Sequence, residues 1–199
     1  MRNTVKTLTL TPREPNIGEI IRYMGGADTR ETVELIRDCL KLTEGRFAFR
    51  VCFTELNVKA DGDTLHLGEY TVNSRDLCKC LGDCRRAAVF GATVGLEIDR
   101  LILAYGKISP SKALCLQAIG AERIEALCDS FCEYLKQSGK ILRPRFSAGY
   151  GDLSLEFQRD IFELLDCQRK IGLTLSDSLL MSPTKSVTAI VGYQSEENK

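Results

Sequence analysis

The sequence lacks several features that would point to common protein classes. It has no apolar run near 20 residues, which argues against a membrane span. Its first 15 residues contain no long apolar stretch, so we expect no signal peptide and a cytoplasmic location. Lysine plus arginine equal aspartate plus glutamate, 27 against 27, so no excess charge points to nucleic acid. Neither an internal repeat nor a low-complexity segment is present.

Histidine is nearly absent, whereas cysteine is abundant. His66 is the only histidine, and it lies in a predicted hairpin where we expect an exposed strand residue rather than a metal ligand. Nine cysteines are an odd number, and no signal peptide accompanies them, so a secreted disulfide framework is not favoured. We interpret them as reduced thiols that mostly fill the core.

Cys78, Cys80 and Cys84 form a separate cluster that has two interpretations. Three thiolates in seven residues are able to hold a metal or part of an iron–sulfur cluster. A closed zinc site needs a fourth ligand, and only Cys128 and Cys132 are conceivable remote partners. The favoured alternative is a helix that directs Cys78 and Cys84 to the core, so we predict no metal site.

Hydrophobic spacing divides the chain into three parts. Residues 1–45 contain a short strand and two helices, which we interpret as a small N-terminal helical arm. Residues 46–192 are the predicted core: Arg46–Val58 alternates as a strand, the longest helix starts at Ser109-Pro110, and Ser186–Val191 is a β-branched strand. Residues 193–199 are polar and are predicted to be a frayed tail.

The order of these elements predicts the fold class. Strands are dispersed among helices without a regular βαβ repeat. That arrangement favours an α+β fold with a mixed or antiparallel sheet packed against long helices.

The segment Arg143–Asp152 is the most informative stretch for function. Arg145, Gly149 and Tyr150 form an R-x-x-x-G-Y pattern in a loop between two predicted helices. A guanidinium suits bidentate capture of a carboxylate, a glycine admits close approach to a backbone, and a tyrosine offers a flat face and a hydroxyl. A zwitterionic ligand with an aromatic base is able to use all three. The alternative is that the segment is only a tight loop connecting the two helices, and that Arg145 pairs with a surface carboxylate.

This loop resembles the R-x-x-x-G-Y-P motif of the activation domain of cobalamin-dependent methionine synthase. The likeness extends from about Leu77 to Val191 and is poor before about Thr64. The other segments that resemble this domain or its small free-standing homologues are Gly91–Gly95, Ile98–Leu101, Ala118–Glu122, Ile161–Asp166, Lys170–Ser176, Ser178–Pro183 and Lys185–Thr188.

The resemblance implies a site, a ligand and a partner. S-adenosylmethionine would bind at Arg145, Ser147, Ala148, Gly149, Tyr150 and Gly151, with Tyr150 as the catalytic residue. The family role is to bind this ligand beside a cobalamin (vitamin B12) carried by another domain, and to remethylate that cobalamin after one-electron reduction. It implies a place in methionine biosynthesis, a corrinoid methyltransferase as the partner and a flavodoxin-type reductant. We expect no nucleic acid or membrane partner.

The sequence also departs from the family pattern. Gly151 replaces the usual proline, and Asp152 replaces the small residue after it. The acidic ligand contact of the synthase's N-terminal arm has no identifiable counterpart. No D-x-H-x-x-G cobalamin motif occurs, so we expect the cobalamin to belong to another chain.

Further polar residues are candidates for the same site. Asp99 and Glu122 follow small-residue segments and are able to face a shared cleft, where a carboxylate would favour a sulfonium cation. The favoured alternative is that both are helix-surface charges. Ser182, Lys185 and Ser186 precede the final strand, where they are able to bind a ligand or to cap a loop.

Three functional hypotheses follow. The first is a reactivation protein that binds S-adenosylmethionine and docks on a cobalamin-binding methyltransferase. The second is a non-catalytic interaction module that caps or chaperones the corrinoid partner and has lost the ligand. The third is a metal or redox protein built on the cysteine cluster.

Overall fold

The structure, a computed structural model, describes residues 4–82 and 84–195. Helices and strands are interspersed along these residues, as the sequence predicts. The helices are α1 (Ile17–Met24), α2 (Arg30–Thr43), α3 (Arg75–Leu81), α4 (Glu97–Gly106), α5 (Pro110–Lys136), α6 (Phe157–Leu165) and α7 (Cys167–Ile171). The strands are β1 (Lys6–Thr9), β2 (Arg50–Asp61), β3 (Thr64–Leu67), β4 (Tyr70–Asn73), β5 (Arg86–Thr93), β6 (Lys140–Leu142), β7 (Thr174–Leu175), β8 (Met181–Ser182) and β9 (Ser186–Ser195).

The described residues form a seven-stranded antiparallel sheet. Its order is β4-β3-β2-β5-β9-β6, and β1 pairs with β2. The short strands β7 and β8 pair separately as a hairpin. The α+β fold with an antiparallel sheet and long helices is therefore confirmed.

Both faces of the sheet are covered, because the central strands bury side chains on each side. On β2, Val51 and Phe53 join a core beneath α1, α2, α4 and α5. The alternating residues Cys52 and Leu56 join a second core beneath α3, α6 and α7. This period-two alternation gives a three-layer arrangement of helices, sheet and helices.

Strand boundaries differ from the sequence prediction in a few places. The strand predicted over Arg46–Val58 begins at Arg50 and runs to Asp61. Before it, Phe47 and Phe49 stack on each other with ring centroids 5.3 Å apart, although their alternation is typical of a strand. The sequence pattern did not predict strands β4, β6, β7 and β8, because each is too short to show an alternation.

The N-terminal arm and the C-terminal tail are more integrated than predicted. Strand β1 pairs with β2, and Ile20 and Ile36 are fully buried in the core beneath α5. The arm over residues 1–45 therefore also contributes a strand, and its boundary at residue 45 stays a prediction. Residues 193–195, predicted as frayed, belong to β9, where buried Tyr193 donates to Glu55 at 2.5 Å. The rest of the predicted tail, 196–199, lies outside the described residues.

Candidate functional site

The loop that contains the R-x-x-x-G-Y pattern follows the outer edge of β9. The Arg143 amide donates to Gly192 O at 2.8 Å, and Phe146 exchanges two backbone hydrogen bonds with Ile190 at 2.9 and 2.8 Å. The chain is thus extended here, and neighbouring side chains point to opposite faces of the sheet. Arg145 reaches α5, whereas Phe146 packs in the core beneath α6.

Arg145 is held by two carboxylates on consecutive turns of α5. Its Nη1 donates to Asp129 Oδ1 at 2.9 Å, and its Nη2 donates to Glu125 Oε2 at 2.8 Å. Its side chain is 26% exposed, so these pairs are partly shielded from water. The sequence left open that Arg145 pairs with a carboxylate of the protein instead of a ligand, and the structure has such pairs. They fix the orientation of the guanidinium.

The tip of the loop is a tight turn with an exposed tyrosine. Gly149 has a φ of +88°, which favours glycine, and its amide donates to Leu153 O at 2.9 Å. The Tyr150 amide donates to Ser147 O at 3.2 Å, and the Tyr150 side chain is 70% exposed. The ring is therefore presented to solvent at the tip.

Asp152 anchors the end of the loop to the start of α3. Its carboxylate accepts hydrogen bonds from the Ser74 hydroxyl at 2.5 Å and from the Arg75 and Asp76 amides at 2.9 and 3.2 Å. The hydrogen bond from Ser74 is the main reason that the pKa of Asp152 is lowered. Asp152 thus satisfies helix N–H groups that have no partner within α3.

Two concavities lie beside the loop. The α5 groove, about 540 Å³, runs between Leu10–Arg13 and the C-terminal half of α5, and Asp129 and Glu133 line it. Arg13 Nη1 lies 3.6 Å from Asp129 Oδ2. Because Arg145 pairs with Asp129, its guanidinium is at the border of this groove.

The second concavity is the β9 cleft, about 420 Å³, on the other side of the loop. Its walls come from the loop, α6, the β7–β8 hairpin and β9, and the lining residues are Ser147, Ala148, Leu155, Gln158, Leu179–Met181, Thr184 and Ser186–Thr188. The predicted site residues are therefore divided between the Arg145 side, this cleft and the loop tip.

Neither Asp99 nor Glu122 is among the residues that line the α5 groove or the β9 cleft in the described part of the chain. Asp99 accepts from the Thr184 amide and hydroxyl at 2.8 and 2.6 Å. Glu122 is 1% exposed and pairs with Arg123, whose Nε and Nη2 donate at 2.6 and 2.8 Å. Each of these two carboxylates therefore has a structural partner, and a cleft that they share stays a prediction.

The residues before β9 also have structural roles. Ser186 Oγ lies 2.7 Å from Pro183 O, which corresponds to the loop-capping interpretation. The stem of Lys185 packs on Gly120, where an added Cβ would lie 2.9 Å from Lys185 Cγ. Burial lowers the pKa of Lys185, and the charge of Asp99 opposes that shift. Ser182, in β8, accepts from Thr174 Oγ1 through its carbonyl at 3.2 Å.

The cysteine cluster and His66 are arranged as structural groups. Cys78 and Cys80 lie in α3, and the Cys80 thiol donates to Pro144 O at 3.6 Å. Within residues 4–82 and 84–195, no group of three or more potential ligands is arranged to hold a metal ion. His66 Nδ1 lies 3.2 Å from Thr71 Oγ1 in the β3–β4 pair and is half-buried rather than exposed.

Comparison with known proteins identifies the fold. No family model and no curated protein sequence matches this chain. A solved structure described as the MetH reactivation domain bound to AdoHcy superposes with a TM-score of 0.65. The match covers 96% of this chain and 78% of that chain, at 17% identity.

The chain has the fold of the MetH reactivation domain. This agrees with the resemblance seen in the sequence and shows that the likeness extends to the N-terminal residues, where the motifs are poor. No helix in the described part of the chain is long and apolar enough to cross a membrane.

One residue in the reactivation-domain fold was not found from the sequence. Gln158, on α6, is 4% exposed and lines the β9 cleft, and its Oε1 has no hydrogen-bond partner. A glutamine within an amphipathic helix gives no sequence signal, because only the packing around it determines whether its amide is paired.

Proposed function

We propose that this chain binds S-adenosylmethionine and supports the reductive remethylation of cobalamin carried by a partner methionine synthase. Two findings support the proposal: the shared fold and the geometry of the loop at Arg143–Asp152. The position of Arg145 is the main support, because its half-buried guanidinium is held in a fixed orientation in the same loop that exposes Tyr150.

The amino-acid end of the ligand would lie at the border of the α5 groove. Arg145 has five N–H donors, and its contacts with Glu125, Asp129 and Cys132 do not use all of them, so a donor remains for a carboxylate. Asp129 and Glu133 line the groove and supply negative charge for the ammonium and sulfonium groups. The groove is therefore suited to a ligand that has a carboxylate and two cationic centres.

The loop tip would orient the methyl donor toward the partner. Tyr150 is exposed at the tip, and we assign it the catalytic position because it is able to contact both the ligand and a docked protein. The partner's cobalamin would supply the methyl acceptor after a flavodoxin-type protein had delivered one electron. Transfer of the methyl group from the sulfonium would leave S-adenosylhomocysteine as the product.

A reactivation assay tests this proposal. The protein is mixed with cobalamin-loaded methionine synthase that lacks its own activation domain, S-adenosylmethionine and reduced flavodoxin, and the cob(II)alamin absorbance is followed. We expect the band to decay and methylcobalamin to form only when this protein is present. Arg145→Ala should slow the decay, whereas Arg30→Ala, which removes an exposed arginine of α2, should not. An equal rate without the protein would refute the proposal.

A specific observation also favours the interaction-module alternative. Because Arg145 already has two carboxylate partners, the loop is structurally satisfied without a ligand. Under this alternative the chain binds the corrinoid methyltransferase but shows no heat of binding with millimolar S-adenosylmethionine. Calorimetric titration with the ligand, followed by titration with the partner, separates the two functions.

A further inference from the structure

A third concavity, the α2 pocket, lies where the end of α2 meets the start of α1. Its volume is about 500 Å³, which is within the range of small-molecule sites. Residues from Glu14 to Ile17 form one wall, and residues from Leu40 to Gly45 form another. In the described part of the chain, the α2 pocket shares no lining residue with the α5 groove or the β9 cleft. It is therefore a separate site.

Two phenylalanine rings form an aromatic wall of the α2 pocket. Phe47 and Phe49 both line it, and their rings stack with centroids 5.3 Å apart. Ala48, between them, is held by the chain that follows β5, because its amide donates to Val94 O at 2.8 Å. Both rings are half-buried, so part of their surface is open. The rings are thus fixed where a flat apolar ring is able to pack on them.

The guanidinium of Arg123, on α5, is the polar group of the pocket. Arg123 lines the pocket although it is only 4% exposed. Its Nε and Nη2 donate to Glu122 at 2.6 and 2.8 Å, and its Nη1 donates to Arg13 O at 2.6 Å. These hydrogen bonds leave one N–H on Nη1 and one on Nη2 without an acceptor among the described residues. Buried donors are nearly always paired, so a ligand in the pocket is able to supply the missing acceptor.

The charges at the α2 pocket determine which acceptor suits Arg123. Glu122 offsets the charge of Arg123, because both side chains are buried and form an ion pair. Glu14 and Glu44 also line the pocket and are exposed, and Arg123 is the only cation among the described lining residues. Three carboxylates therefore accompany one guanidinium. This excess disfavours an anionic ligand and favours an uncharged acceptor such as a carbonyl oxygen.

We propose that the α2 pocket binds an uncharged aromatic compound that carries a carbonyl oxygen. The ring would pack on Phe47 and Phe49, with the half-buried side chains of Ile17 and Leu40 around it. The carbonyl would accept from the remaining N–H groups of Arg123. A volume of about 500 Å³ admits a bicyclic ring. This proposal does not rest on the proposed function, because no residue of the Arg143–Asp152 loop lines the pocket.

Methyl-resolved NMR titration with 2-naphthamide tests the proposal. The naphthalene ring should shift the methyl resonances of Ile17 and Leu40, whereas those of the exposed Ile108 should not change. Two ligands with the same ring serve as comparisons: 2-naphthoate is an anion, and 2-naphthamidine is a cation that offers Arg123 no oxygen acceptor. We expect 2-naphthamide to bind about tenfold more tightly than either.

Variants connect this binding to Arg123 and to the rings. The double variant Glu122→Gln/Arg123→Met removes the whole ion pair, since Arg123→Met alone would leave a buried carboxylate unpaired. It should weaken the binding of 2-naphthamide about tenfold. Phe47→Leu should weaken it about fivefold, because a stacking partner is lost. Phe162→Leu, the same change at a half-buried position on α6, should leave the affinity unchanged.

Each outcome decides the matter. The expected order of the three ligands supports the assignment when binding also weakens in the double variant or, if that variant does not fold, in Phe47→Leu. Equal affinities for 2-naphthamide and 2-naphthoate would indicate an apolar surface without a role for Arg123. Tightest binding of 2-naphthamidine would indicate that Glu14 and Glu44 recognise a cation instead. Either result, or unshifted Ile17 and Leu40 resonances at millimolar 2-naphthamide, would overturn the proposal.

Discussion

The carboxylate of Asp76 occupies the space beside Gly151. Its Oδ2 atom lies 2.5 Å from the position that a Cβ atom on residue 151 would take, and Gly151 has a φ of +54°. Proline requires a φ near −65°, so the proline of the related R-x-x-x-G-Y-P motif does not fit this backbone. The departure at Gly151 thus belongs to a different turn, one that docks against α3.

Substitution of Gly151 should destabilise the protein by more than the cost of placing a side chain at its positive φ. We expect Gly151→Ala to lose about 1–2 kcal/mol for the positive φ, with a further loss from the contact with Asp76. Gly139→Ala is the matched control, because Gly139 has a φ of +72° and open space around its Cβ position. Urea unfolding measures both. The expectation fails if both variants lose the same stability and if Asp76→Ala does not restore the stability of Gly151→Ala. Asp76 would then move aside without cost.

The Asp152 cap should make stability depend on acid pH. The folded state lowers the pKa of Asp152, chiefly through the Ser74 hydroxyl, so the unfolded state binds the proton more readily. The stabilisation is therefore present above the unfolded pKa of about 3.9 and is lost as pH falls through the lower folded value. In Asp152→Asn, the melting temperature should fall less steeply over this range than in the parent. Parallel curves would contradict a depressed pKa.

Arg145 should matter more than Lys185 for S-adenosylmethionine. A charge-assisted hydrogen bond contributes about 1.5–3 kcal/mol, so Arg145→Ala should weaken binding roughly tenfold or more. Lys185→Ala should have a smaller effect, because the stem of Lys185 packs on Gly120. Calorimetry compares the affinities of the two variants. Arg145→Lys keeps the positive charge but removes the planar guanidinium, so it separates the two contributions to binding. Unchanged affinity in Arg145→Ala would remove the arginine from the site.

The thiols should react in two classes, the half-buried ones slowly in the native protein and the buried ones only after denaturation. No disulfide joins any of the nine cysteines, all of which lie in the described residues, and six of the nine are buried. Burial raises the pKa of each half-buried thiol, Cys78, Cys80 and Cys132, so these should react slowly with a disulfide reagent in the native protein. Denaturation without reductant should expose close to nine thiols. A shortfall, or stoichiometric zinc or iron on metal analysis, would contradict this.

Particular elements show where sequence reasoning reached its limit. Ser74 caps α3 through a local contact, because its hydroxyl accepts from the Leu77 amide at 3.0 Å. Asp152 caps the same helix from 78 residues away, and no local pattern indicates that contact. The pairing of β1 with β2 and the paired state of Arg145 likewise depend on segments distant in sequence.

The sequence by itself determined the α+β class, most of the helices and long strands, and the segment that is similar to the R-x-x-x-G-Y motif. These follow from periodicity, caps and residue chemistry, which act over a few neighbouring positions. Only the tertiary structure decided that Arg145 pairs with Glu125 and Asp129, that Asp99 and Glu122 are engaged elsewhere, and that Gln158 Oε1 is buried without a partner. The physical reason is that burial and long-range pairing arise only when separate elements pack together.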